Sequence, residues 1–204
     1  APIKENLASG LLRLTGWDGT TPLIDPLCGS GTFLIEAASD FNSSPPGLKK
    51  FFILQNWLDF DIQLWNQEKF FAQQKTHRSD CKPLIIGCEQ DSYIAKQAEE
   101  NISSACLKEM ISIRNCHFID MSLPREIGII VCNPPYGKRI GSDQNLEELY
   151  RQLAQFLKEK ASGWELWILS GDRQLTKFLR MKANKKFPIS NGGIDCRWIN
   201  YSIN

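Results

Sequence analysis

Short apolar runs alternate with stretches of helical periodicity along most of this chain, and that alternation constrains the fold more than any other feature. The runs fall at residues 22–24, 83–88, 111–118, 127–132 and 165–169, with two more at 185–189 and 194–203. Between them, 33–40 reads as a helix. Residues 91–106 carry Ile94, Ala95, Ala98 and Ile102 at helical spacing, with Asp91 placed to cap the start. Leu146, Leu149, Leu153, Phe156 and Leu157 repeat that spacing, and 174–180 predicts a short helix. Asn191-Gly192-Gly193 separates the last two runs and reads as a hairpin turn. Five βα steps followed by a hairpin predict an α/β fold: a seven-stranded, mostly parallel sheet closed by a C-terminal antiparallel hairpin. In such sheets ligands sit at the carboxyl ends of the strands.

One stretch interrupts the pattern. Residues 42–80 begin with the loop Ser43-Ser44-Pro45-Pro46-Gly47 and continue through Phe52, Trp57, Phe60, Trp65, Phe70 and Phe71. An aromatic stripe of this kind is expected to be buried, so the segment is read as an inserted helical cover over the sheet edge, within one domain spanning 1–204. A chain of 204 residues is long enough for a three-layer core. The net charge of +1 does not mark a strongly basic nucleic-acid domain, so any phosphate affinity is expected to come mainly from elsewhere. Seven cysteines include no C-x-x-C pair and no histidine at zinc spacing, so no metal site is expected, and Cys28, Cys88 and Cys132, in or beside apolar strand ends, read as small buried hydrophobes in a reducing cytoplasm. Of the two histidines, His77 and His117, the latter falls in a strand run and is expected to be structural. No apolar stretch approaches membrane-spanning length, and the chain begins at Ala1 without an initiator Met.

Two motifs carry chemistry. The first is Asp25-Pro26-Leu27-Cys28-Gly29-Ser30-Gly31-Thr32, between a strand run and a helix. Its glycines let a ligand approach the backbone closely, but it is neither the G-x-G-x-x-G dinucleotide pattern nor a P-loop. The second is Asn133-Pro134-Pro135-Tyr136, at the end of an apolar run. Two prolines remove two donors and stiffen the loop. The Asn133 amide oxygen and the Pro134 carbonyl can then both accept from one exocyclic NH2 group, while Tyr136 is expected to offer a flat face to a base. The pair holds the amino group of a nucleobase.

Together the two motifs resemble the S-adenosylmethionine-dependent amino-methyltransferases, which implies the class I, Rossmann-like fold and S-adenosyl-L-methionine as cofactor. On that resemblance the amides of Gly29, Ser30, Gly31 and Thr32, beside Cys28, face the cofactor's carboxylate, and Asp25 faces its ammonium. Glu89, with Gln90 after it, suits the ribose. Asp120 suits the adenine amino group, and Met121 its ring. Lys138 and Arg139 follow the Asn-Pro-Pro-Tyr loop and are candidates for phosphate contact, as is the cluster Lys182, Lys185 and Lys186.

Further stretches narrow the likeness. Pro2-Ile3-Lys4-Glu5-Asn6-Leu7-Ala8, with Leu12, Leu14, Gly16 and Trp17 after it, is similar to the segment and helix that precede the first strand in RNA guanine-N2 methyltransferases. Phe187-Pro188-Ile189-Ser190-Asn191-Gly192, Asp195-Cys196-Arg197 and the Ser-Ser-Pro-Pro-Gly-Leu loop with Trp57–Trp65 resemble the bacterial large-subunit ribosomal RNA members. Gly128 departs from the acid many relatives carry before that strand, with no effect expected on the chemistry. The resemblance implies methylation of guanine N2 in large-subunit rRNA, with a THUMP RNA-binding domain outside this chain. A transfer-RNA guanine-N2 enzyme, a DNA adenine-N6 methyltransferase using the same tetrad, and a binding module that has lost catalysis are the alternatives.

Overall fold

The computed structural model describes residues 3–48, 50–74, 82–136 and 143–204. Its strands are β1 (Leu23–Asp25), β2 (Ile85–Glu89), β3 (Ile111–Asn115), β4 (Ile129–Cys132), β5 (Glu165–Ser170), β6 (Ala183–Asn191) and β7 (Ile194–Ser202). They form one sheet in the order β3-β2-β1-β4-β5-β7-β6. The first five are parallel, and β7 runs antiparallel to both β5 and β6. Strand order reverses direction at β1 and β4, so the ends of those two strands face a shared crevice. β1 is buried at every residue, and β2, β4 and β5 nearly so, as a parallel sheet covered on both faces requires.

Helix α1 (Glu5–Thr15) ends at Gly16, whose left-handed φ of 75° closes the last turn. It packs on α2 (Thr32–Phe41), which buries Phe33, Leu34, Ala37 and Ala38. Helix α3 (Ile62–Gln74) belongs to the insert. Asp91 caps α4 (Ser92–Ser104) by accepting from the amides of Tyr93 and Ile94. Helix α5 (Asp143–Lys160) buries Leu146, Tyr150, Leu153, Phe156 and Leu157. Gly192 and Gly193 both have positive φ, 60° and 80°, as a two-residue I′ hairpin turn demands.

Several sequence expectations change. The run 111–118 stays a strand only to Asn115; His117 then starts a 3-10 turn, Phe118–Asp120, because β2 offers no partner beyond Glu89. The helix expected at 174–180 is a 3-10 turn, Leu175–Leu179. Strand β6 extends past the apolar run at 185–189 on both sides. The aromatic insert is not core: neither its 3-10 turn Ile53–Asn56 nor α3 buries a residue, and Trp57 is 66% exposed. The apolar positions of α3 (Ile62, Leu64, Trp65, Phe70, Phe71) are scattered around the helix rather than aligned on one stripe, so the helix has no single face to dock. Its aromatics contact each other instead, with Trp65 5.7 Å from Phe52 and 5.8 Å from Phe60. Gly128 is required by packing: a Cβ there would collide with the Pro22 carbonyl oxygen, which accepts from the Ile129 amide at 2.9 Å. His77 lies outside the described residues.

Candidate active site

The turn after β1 reaches positive φ at Gly29 (53°) and Gly31 (84°), so both places favour glycine. Three bonds hold it. The Cys28 amide donates to the Cys88 carbonyl at 3.0 Å, the Gly31 amide donates to the Cys28 carbonyl at 2.9 Å, and Asn101 Nδ2 donates to the Ser30 carbonyl at 3.1 Å. Gly31 caps α2 without a side-chain acceptor, and the first turn has no acid. The leading amides of a helix have no intrahelical partner, and a helix start that follows the end of β1 is a setting that favours a carboxylate.

Asp25 ends β1 fully buried, and Oδ1 accepts from the Leu27 amide at 3.0 Å. Burial pushes its carboxyl up to about 8; the Leu27 hydrogen bond opposes this and the charge of Glu89 adds to it. A buried carboxyl with a neighbouring acid calls for a cation, such as an ammonium. Between the unfolded value, about 3.9, and about 8 the folded state holds one proton more than the unfolded state, so stability without ligand falls as pH rises through that window. Asp25→Asn should remove this slope. Melting the wild type and the variant at pH 5 and pH 8 checks it: the wild-type Tm should drop relative to the variant at pH 8.

Glu89 is half-buried at the end of β2, its Oε1 accepting from the Asp91 amide at 2.9 Å, while Gln90 is exposed. Asn115 Nδ2 donates to the carbonyls of Glu89 and Gln90 at 2.8 and 3.2 Å, fixing this strand end. Asp120 is exposed on its 3-10 turn. Met121, expected to pack on an adenine ring, lies in the core at 1% exposure. Lys160, at the end of α5, donates to the carbonyls of Ile119 and Met121 at 2.5 and 3.0 Å and ties the turn to the helix. Asn101, Asn115 and Lys160 were not legible as site residues, because each acts through a main-chain carbonyl brought near only by the fold.

The tetrad follows β4. Asn133 is half-buried with Oδ1 withdrawn from solvent, Pro134 is buried, and Pro135 is half-buried. Tyr136 does not present an open face: it is 6% exposed, and Gly171 leaves room for its ring, where a Cβ would come within 2.8 Å. Asn191 Nδ2, at the hairpin tip, donates to the Tyr136 hydroxyl at 2.9 Å, and Cys196 of β7 also hydrogen-bonds that hydroxyl. Burial, reinforced by the Cys196 contact and opposed by Asn191, pushes the phenol up to about 12. The tyrosine is a bolt between the tetrad and the hairpin. Asn191→Ala should cost about 1–3 kcal/mol in chemical denaturation, the penalty for a lost buried hydrogen bond. Tyr136→Phe added to it should cost less than Tyr136→Phe alone, since the two changes share the Asn191 bond and only the Cys196 contact is left for the second to remove. Lys138 and Arg139 lie outside the described residues.

The first strand's buried acid, the uncapped helix start and the acid at the next strand end fit the ammonium, carboxylate and ribose of S-adenosylmethionine. The fold is that of the class I S-adenosylmethionine-dependent methyltransferases. A crystal structure of SMU.472 complexed with SAH superposes with a TM-score of 0.91 at 28% identity, over 100% of this chain and 53% of that one. The profile of UPF0020, the RMKL-like methyltransferase domain, matches residues 1–200, and the chain belongs to that family. It is 37% identical over 204 residues to slr0064 of Synechocystis sp., which carries the provisional name of an RNA methyltransferase, covering 100% of this chain and 53% of that protein. It is 32% identical over 222 residues to the ribosomal RNA large subunit methyltransferase K/L of Aeromonas hydrophila, covering 100% of this chain and 31% of that protein. The chain thus spans about half the length of the first of these relatives and under a third of the second. Among the described residues no helix is long and apolar enough to cross a membrane, and no cluster of His, Cys, Asp and Glu could hold a metal.

Proposed function

We propose that this chain methylates an exocyclic base amine in RNA, guanine N2 of large-subunit ribosomal RNA. The observation that carries the reading is Asn133-Pro134-Pro135-Tyr136 at the carboxyl end of β4, next to the glycine turn at the end of β1, in a relative of K/L-named enzymes. The cofactor supplies an electrophilic methyl on a sulfonium, a good leaving group. Asp25 and the leading amides of α2 orient it through its ammonium and carboxylate, and Glu89 through its ribose.

The protein must then deliver a nucleophilic nitrogen in line with that methyl. The lone pair of an exocyclic amine is delocalised into the ring. Asn133 Oδ1 and the Pro134 carbonyl accept its two protons, favour a pyramidal nitrogen and stabilise the positive charge that develops in the transition state. The proton leaves to water once the amine is cationic, so no general base is required. A paired base must leave its stack to reach the tetrad. Tyr136 acts from below, holding the loop through Asn191 rather than stacking on the base.

The test is methyl-labelled cofactor with unmodified RNA and DNA, digested to nucleosides and identified by mass. Label in N2-methylguanosine from ribosomal RNA is expected. Label in transfer RNA would move the target and keep the chemistry. Label in N6-methyladenine of DNA would overturn the RNA assignment.

A further inference from the structure

The balanced net charge hides a segregated one. Residues 173–186 carry six cations (Arg173, Lys177, Arg180, Lys182, Lys185 and Lys186) and no acid. The other 190 residues therefore hold 18 cations against 23 acids, a net charge of −5. None of the six forms an ion pair among the described residues, and all are exposed. They follow β5 through the 3-10 turn Leu175–Leu179 and onto β6, the edge strand of the sheet.

Part of this run borders a cleft of about 1030 Å³ between α5, the 3-10 turn and the ends of β6 and β7. Lys158 and Arg151 reach it from α5, and Arg180 and Lys182 from the opposite wall. Glu159 is the acid at its rim, and Arg151 is partly neutralised by Glu147 at 3.3 Å. Lys186 pairs with Ile199, which shares a strand face with Tyr201. Tyr201 in turn bonds Thr176 of the 3-10 turn, so Lys186 lies on the cleft side of the sheet. Lysines on an edge strand commonly serve to block edge-to-edge pairing, which would account for Lys185 and Lys186. That role does not account for Lys158, Arg180 and Lys182 converging on one concave surface.

The cleft lies at the opposite end of the sheet from the tetrad. Ser202, on its wall, pairs with Glu165 at the start of β5, whereas Cys132, which pairs with Ile168 near the other end, leads into Asn133. The two ends are separated by roughly 17 Å along β5. The edge strand joins them: β6 starts beside Lys182 and ends at Asn191, which holds Tyr136. We propose that this cleft and the β6 edge bind the phosphodiester backbone of the same RNA whose base enters the tetrad. The inference rests on the RNA reading above and adds a second binding surface to it. Exposed guanidinium and ammonium groups on a concave track are the donors phosphates take, and they position an RNA without reading its sequence.

The test compares wild type with a variant carrying Lys158→Gln, Arg180→Gln, Lys182→Gln and Lys186→Gln. Fluorescence anisotropy with an unmodified large-subunit rRNA transcript is read across a salt series, and calorimetry reads S-adenosylmethionine affinity. The variant is expected to bind the cofactor and melt as wild type does. It should bind the RNA at least about tenfold more weakly, with the slope of log affinity on log salt reduced by about 0.7–0.9 for each phosphate the variant no longer neutralises. Lysines 158, 182 and 186 changed to arginine should keep the slope. Wild-type RNA affinity and slope in the glutamine variant would overturn the cleft assignment and leave the RNA reading standing. A wild-type chain that methylates DNA and leaves RNA unlabelled would overturn the reading, and with it the ligand assigned to the cleft.

Discussion

Asn133→Ala should bind S-adenosylmethionine as tightly as wild type and transfer methyl about 10²–10³-fold more slowly, by analogy with the loss of one oxyanion-hole donor. The amide oxygen does its work only as charge builds on the attacking nitrogen, so its removal touches the rate and spares the cofactor. On the proposed reading the cofactor is held from the ends of β1 and β2, by Asp25, the turn at Gly29 and Gly31, and Glu89, whereas Asn133 stands at the end of β4. Asn133→Asp keeps an acceptor at the same place and should retain more activity than the alanine variant. Single-turnover methyl transfer beside a calorimetric cofactor titration separates the two effects. An alanine variant that lost cofactor affinity as steeply as rate would show that Asn133 organises the crevice, and the amine would need another acceptor.

The order of elements was legible because each strand of a doubly covered parallel sheet is buried on both faces and therefore mostly apolar, as β1, β2, β4 and β5 are apart from Asp25, Glu89 and Glu165 at strand ends. The glycine turn and the tetrad were legible because their chemistry is local: positive φ at Gly29 and Gly31, and two prolines that withhold donors. What sequence reading missed acts across the fold. Asn191 lies 55 residues from the tyrosine it holds. Lys160 is 39 and 41 residues from the carbonyls it ties down. Tyr136 looked like a stacking platform because its type suits one, but the hairpin covers its ring. The aromatic insert looked like core because its composition is apolar, although α3 lacks a single apolar stripe. The +1 net charge pointed away from phosphate binding because a sum over the chain erases the separation of +6 in residues 173–186 from −5 elsewhere, of which the cluster Lys182, Lys185 and Lys186 was the legible part.

Trp198→Ala should cost about 3–5 kcal/mol of folding stability, a large share of the roughly 5–15 kcal/mol a domain has. Trp198 is fully buried on β7. Its ring stacks 5.5 Å from Phe33 of α2 on one side and 5.7 Å from Trp167 of β5 on the other, and Trp167 stacks in turn on Phe187 of β6 at 6.3 Å. Truncation leaves a cavity where helix, sheet and hairpin meet, with rigid rings around it that cannot collapse to fill it. Trp198 Nε1 is buried without a hydrogen-bond partner among the described residues. Trp198→Phe would remove that unsatisfied donor along with part of the ring, and should therefore cost much less than alanine. The consequence extends to the site, because Asn191 and Cys196, which hold Tyr136, sit on the hairpin this stack anchors. Urea denaturation of the three proteins measures the order. An alanine variant within about 1 kcal/mol of wild type would mean that the hairpin is held by its backbone ladder alone, and the tetrad would then owe its position to β4 rather than to the aromatic stack.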